Sequence, residues 1–193
     1  MRHLFNYLYR SAIATTWAAL TGCATTTVTI TPSPQPPICD SLTSALVLWA
    51  PQWRPDQKDV PERETAAETG VRQFLQTSKC FKNSELRRLP SMSLPTIAAE
   101  VDTVNRPFDK VVTITVRELG PVLKLLASLA LIDGGTEVLL HIAEHTLPSQ
   151  KQTRAFTIHW QNGGPGVIKG VGSLQNDMQD TLVRSLQPVP TTK

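Results

Sequence analysis

Nowhere does this sequence hold the run of about 20 apolar residues that a membrane-spanning helix requires. It has no Gly-x-Ser-x-Gly elbow, no glycine loop closed by Lys-Ser or Lys-Thr, and no internal repeat. Those absences exclude a spanning helix, a serine nucleophile of the elbow type, a nucleotide phosphate loop and a repeat array. Its 19 basic residues face 16 acidic ones without any Lys/Arg-rich run, so nucleic acid is not an expected partner. Cysteine is scarce: Cys23, Cys39 and Cys80 are the three in the chain.

What is present starts at the N-terminus. Arg2 and Arg10 lie in a first decapeptide without acids, and the next ten residues, Ser11 to Leu20, are apolar or small. A basic region followed by a short apolar one is a signal peptide rather than an anchor. It ends in Leu20-Thr21-Gly22-Cys23, which resembles the bacterial lipoprotein box. That resemblance implies cleavage between Gly22 and Cys23 and acylation of Cys23. Two or three acyl chains hold a protein firmly where one binds only marginally. Ala24, rather than Asp, follows the lipidated residue, and its resemblance to enterobacterial lipoproteins favours the outer membrane, facing the periplasm.

Removing residues 1–22 leaves 171 residues with 17 basic and 16 acidic side chains, enough for one domain. Residues 23–38 are Thr- and Pro-rich and uncharged, and read as the lipidated cysteine plus a semi-rigid tether, reaching roughly 40 Å at ~3 Å per residue. A single α+β domain then spans 39–190. Cys39 and Cys80 make an even pair in a disulfide-permissive compartment, and a bridge between them would be worth ~4 kcal/mol by loop closure. Two buried free thiols are the other reading.

Within the domain, Ala45–Ala50 reads as a strand buried on both faces. Asp59 and Pro61 open a helix in which Ala67, Val71, Phe74 and Leu75 share a face. A strand over Ser84–Leu89 precedes a short helix opened by Ser93-Leu94-Pro95. Val112, Ile114 and Val116 alternate with Thr113, Thr115 and Arg117, the pattern of a half-buried strand. Asp133-Gly134-Gly135-Thr136 predicts a tight turn, with 137–147 as the returning strand, although TEVLLHIAEHTL also suits three turns of helix. Phe156, Ile158 and Trp160 alternate along another strand, and Leu174, Met178, Leu182 and Leu186 line a closing helix. The expected fold is α+β: a two-layer, mixed and largely antiparallel sheet with helices on one face.

This arrangement resembles the small lipoprotein domains of the envelope ABC-transporter auxiliary family and, more distantly, the curli-secretion and penicillin-binding-protein-activator lipoproteins. The resemblance rests on the lipobox, the Ala45-to-Trp49 strand feeding the Val60-to-Ser78 helix, the Val111-to-Glu118 strand, the Leu129-to-Val138 hairpin and the Leu174-to-Leu186 helix. It implies a non-catalytic, membrane-anchored protein assisting assembly or stability of an envelope transport or secretion complex, with a protein partner or further copies of itself. No cofactor is expected.

Two constellations compete with that reading. His141-Ile142-Ala143-Glu144-His145 has the H-x-x-E-H spelling of inverted zinc peptidases, in which both histidines hold the metal and the glutamate polarises a water. On a strand the histidines would face one way and Glu144 the other, and the later carboxylates, Asp177 and Asp180, are expected to lie exposed on the last helix. Trp53 and Arg54, beside Trp49, are residue types enriched in interfaces and form a candidate partner surface; the competing reading is Trp49 in the core with Trp53 half covering it. A carrier of lipid or another apolar ligand, held between sheet and helices, is a third possibility.

Overall fold

A computed structural model describes residues 24–126, 131–148 and 150–188. The expected signal peptide, with Gly22 and the expected lipidation residue Cys23, lies outside the described residues. Six strands form a single sheet: β1 (Thr25–Thr31), β2 (Asp40–Pro51), β3 (Phe81–Arg88), β4 (Lys110–Leu126), β5 (Leu131–Thr146) and β6 (Gln152–Pro165). Helix α1 (Val60–Ser78) links β2 to β3, α2 (Leu94–Asp102) links β3 to β4, and α3 (Leu174–Leu186) closes the chain. The spatial order is β1-β6-β5-β4-β2-β3. β2 runs parallel to both β3 and β4, as helical crossovers require, and the remaining pairs are antiparallel. The expected α+β class is correct.

Burial follows the alternation read from sequence. Along β2, Ala45, Val47 and Trp49 point to one core while Leu46, Leu48 and Ala50 point to another. The first core lies under α1 and α3 and takes in Phe74, Ile114, Leu140, Ile158, Trp160 and Met178. Close helix contact is possible because Gly70 has no side chain: a Cβ there would fall 2.7 Å from Met178 Cβ. The second core gathers Leu89, Ile97, Phe108 and Val111 on the opposite face. Thus α1 and α3 share one face, while the short α2 covers a corner of the other.

Three local expectations are corrected. The segment read as a tether supplies an edge strand: Thr25–Thr31 pairs residue for residue with Gly163–Thr157 of β6. All seven of its residues are β-branched, which suits a pleated surface, and Ile30 packs against the first core. Pro36 and Pro37, beyond it, are fastened by Arg154, whose guanidinium donates to their carbonyls at 2.6 and 2.8 Å. The domain therefore starts at β1, not at Cys39. The predicted turn at Asp133–Thr136 is instead strand, with Asp133 opposite Lys124 and Thr136 opposite Pro121, and β4 and β5 continue pairing to Leu126 and Leu131. Gly135 serves close approach rather than a turn, since a Cβ there would fall 2.4 Å from Asn162 O and 2.7 Å from Gly163 Cα. Finally, Asp59 precedes α1 in a left-handed conformation (φ 54°) and its side chain makes no capping bond.

The Cys39–Cys80 disulfide is formed, with Cα atoms 4.4 Å apart. It joins the residue before β2 to the residue before β3. Nearby, the Leu186 carbonyl at the end of α3 accepts both the Ile38 and the Cys39 N–H groups at 3.1 Å, satisfying an acceptor that a helix end leaves open. Replacing both cysteines with serine should cost about 2–4 kcal/mol, read as a lower urea midpoint; an unchanged midpoint would show that the bridge closes nothing that the unfolded chain explores. Gly135→Ala should also lower the midpoint, by about 1–3 kcal/mol, because neighbouring backbone rather than a flexible side chain must move.

Candidate functional site

Strand β5 decides what the His-x-x-Glu-His segment can do. With a period of two, Leu140, Ile142 and Glu144 share the helix-covered face, and His141, Ala143 and His145 share the other. The zinc-peptidase arrangement is therefore not assembled: Glu144 points away from both histidines. Asp177 does not reach them either, and it is buried rather than exposed. On α3, in the layer across the sheet, it accepts from Lys169 Nζ and Ser173 Oγ at 2.8 Å each. Among the described residues, no group of three or more His, Cys, Asp and Glu side chains could hold a metal ion.

Glu144 instead anchors three strands. Lys110 of β4 donates to its Oε1 at 2.8 Å, and Arg154 of β6 donates to its Oε2 at 2.6 Å. Lys110 Nζ also reaches the Ile38 carbonyl at 3.4 Å, and Arg154 holds the carbonyls of Pro36 and Pro37. Burial pushes the Glu144 carboxyl upward, but the hydrogen bonds and charges of Lys110 and Arg154 outweigh it and hold the group below its ordinary range. A carboxylate facing the covered side of a strand requires partners, and cations on the two flanking strands were the signal available in the sequence.

The opposite face is where the sheet is open. Because α2 has nine residues and sits at one corner, it leaves a groove of about 700 Å³ beside it. Thr113 and Thr115 of β4 and His141, Ala143 and His145 of β5 floor the groove; Met92 and Leu94 lie on the α2 side, and Arg117 contributes a cation. His145 is buried, its Nδ1 at 3.4 Å from the Gln150 carbonyl. His159 of β6 lies 2.5 Å through Nε2 from Glu137 Oε1, and Gln161 donates to the same oxygen at 3.5 Å. All three histidines of the described residues thus lie on the strands β5 and β6, among hydroxyls, amides and small side chains. A second hollow, about 270 Å³, lies further along the sheet between Thr25, Glu137, Gln161 and the glycines at 134, 135, 163 and 164. These surfaces are suited to hydrogen bonding with a partner.

Trp49 is fully buried, and Trp53 is half-buried against the same core, with Nε1 donating to Glu64 at 3.3 Å. Arg54 is exposed and pairs with Glu118 at 3.3 Å. The core reading therefore holds for Trp49, and Arg54 alone of the pair remains at the surface. The space between the sheet and α1 and α3, where a carried ligand would sit, is filled by Trp49, Phe74, Leu140, Trp160 and Met178.

No family model matches the chain, and no curated protein matches it. Similar solved structures include the PelC dodecamer from Paraburkholderia phytofirmans, 14% identical, covering 86% of this chain and 100% of that one, at a TM-score of 0.43. A Xanthomonas campestris protein of the family model DUF330 is 14% identical, covering 82% of this chain and 86% of that one, also at 0.43. Lipoprotein GNA1162 from Neisseria meningitidis is 16% identical, covering 74% and 99%, at 0.37.

Glu144→Gln should destabilise the fold by about 2 kcal/mol at neutral pH, from lost charge-assisted hydrogen bonds. Since the folded state lowers this carboxyl's pKa, its contribution is complete above the unfolded value and lost as pH falls through the lower folded one. Denaturation from pH 7 to pH 3 should accordingly show a weaker acid dependence in the variant; identical slopes would remove Glu144 from the pH response.

Proposed function

We propose that this chain is a non-catalytic, lipid-anchored protein of the bacterial envelope, held at the periplasmic side of the outer membrane, that assists assembly or stability of a transport or secretion complex. The observation that supports this most is the placement of the lipobox: Cys23 is followed, after one residue, by β1, which is bonded along its length to β6. An anchor joined directly to a sheet fixes the height and orientation of the domain instead of giving it reach. Such confinement raises effective concentration toward a partner in the same membrane. The open, hydrogen-bonding face of β4, β5, β6 and β1 is the surface available for that partner, whether another envelope protein or a further copy of the chain.

A photo-crosslinker at Thr157 on this face should capture an envelope protein in intact cells, whereas one at exposed Asp180 on α3 should not. Failure of both positions to crosslink, in a chain that sediments as a monomer, would overturn the proposal. Cys23→Ser should abolish acylation, and palmitate label still entering that variant would remove the anchor from the argument. Metal content checks the enzymatic reading: stoichiometric zinc in the purified protein, lost on His141→Ala, would replace the proposed role with metal chemistry.

A further inference from the structure

The register of the sheet brings the start of β1 to the base of the β4–β5 hairpin. Thr25 lies beside Gly163, Gly163 beside Gly135, and Gly135 beside Val122, all in one row. Beyond that row β4 and β5 pair four more times, from Leu123–Gly134 to Leu126–Leu131. At ~3.4 Å per residue, those pairs carry the hairpin about 13 Å past the start of β1. The eight described residues of this end, 122–126 and 131–133, carry two charges, Lys124 and Asp133, which lie opposite each other in the pairing. Leu123 is 61% exposed, and Ile168, in the following loop, is 72% exposed. That loop sits against the hairpin base, since a Cβ on Gly134 would fall 2.2 Å from Val167 O and 3.0 Å from Leu123 Cδ2. The opposite end of the sheet, where β2, β3 and β4 begin, exposes Asp40, Lys82 and Asp109.

We propose that the hairpin end of the sheet, led by the exposed side chains of Leu123 and Ile168, dips into the bilayer leaflet that holds the acyl chains of Cys23. This rests on the lipid-anchoring reading above. Exposed apolar surface at a strand end is unfavourable in water and attracts association, whereas at the boundary between headgroups and acyl chains it is matched to its solvent. Acylated Cys23 precedes Thr25 by two residues, so the lipid and the hairpin leave the domain at the same end. Spanning the membrane takes strands of about 9–11 residues across ~30 Å of hydrocarbon, and the projecting strands are too short for that. The hairpin therefore lies in the interface, and the charged end of the sheet faces away from the membrane.

The test uses the full acylated protein reconstituted in phosphatidylethanolamine–phosphatidylglycerol vesicles. Leu123→Cys and, separately, Leu42→Cys are labelled with a nitrobenzoxadiazole maleimide; Cys39 and Cys80 are occupied by their disulfide. Leu42 is 84% exposed near the start of β2, so it reports the membrane-distal end. Shallow doxyl-labelled lipid should quench the label at 123 several-fold more than the label at 42, and Ile168→Cys should follow 123 if Leu123→Cys folds poorly. Equal, weak quenching at all three positions in protein that is acylated and floats with vesicles would overturn hairpin insertion while leaving the anchor intact. A blue-shifted but unquenched label at 123 would do the same, because a second protein copy rather than lipid would then cover it. An unacylated chain that does not float would overturn the anchoring reading and this proposal with it.

Discussion

The Glu144 carboxylate holds together parts of the chain that otherwise have little reason to meet. Lys110, Glu144 and Arg154 come from three adjacent strands, and the two cations also reach the backbone carbonyls of Pro36, Pro37 and Ile38. A buried ion pair is weak support for stability by itself, because desolvation offsets much of the attraction. Here, though, both carboxylate oxygens have donors, and the spare guanidinium N–H groups are used on proline carbonyls that have no strand neighbour. The consequence is topological as much as energetic. The proline run becomes a strap that carries the chain from the β1 edge, past the end of β5 and β6, to the disulfide at Cys39.

That strap separates what was legible in the sequence from what was not. The α1 bounds, the alternation of Val112, Ile114 and Val116, and the α3 stripe of Leu174, Met178, Leu182 and Leu186 all reflect burial against a single core, which local periodicity reports well. Strand β1 carries only two apolar residues of such a period, Val28 and Ile30. Its threonines lie at a sheet edge with mostly exposed side chains, so its signal was the β-branched run, masked by the four prolines that follow. The glycines at 134 and 135 fit local turn chemistry, while the requirement that places them is long-range: the Val167 carbonyl lies where a Cβ on Gly134 would be, and the backbone of Asn162 and Gly163 where one on Gly135 would be. Of the candidate site, the segregation of His141 and His145 from Glu144 followed from strand period alone. The open groove could not be read, because it depends on how little of the sheet α2 covers.

The two faces and two ends of the sheet therefore divide the work. One face is closed by α1 and α3 over an aromatic and aliphatic core, and the other presents histidine, threonine and glutamine side chains beside a single short helix. Along the strands, one end exposes Asp40, Lys82 and Asp109, and the other exposes Leu123 and Ile168 beside the start of β1. These two asymmetries together define a direction in the molecule, from the end with Leu123 and Ile168 to the end with Asp40 and Asp109, with a hydrogen-bonding surface running between them.

Strand β1 also has a mechanical consequence. Its N-terminal end leads to Cys23, and it is bonded on one side only, to β6, through seven residue pairs. A pull along the strand axis loads those pairs in shear, so they must fail together, whereas a pull perpendicular to the sheet edge would open them one after another from Thr25. The joint is strong toward a tug along the strand and weak toward peeling. Behind it, the proline strap held by Arg154 acts as a second catch before any load reaches Cys39 and its disulfide.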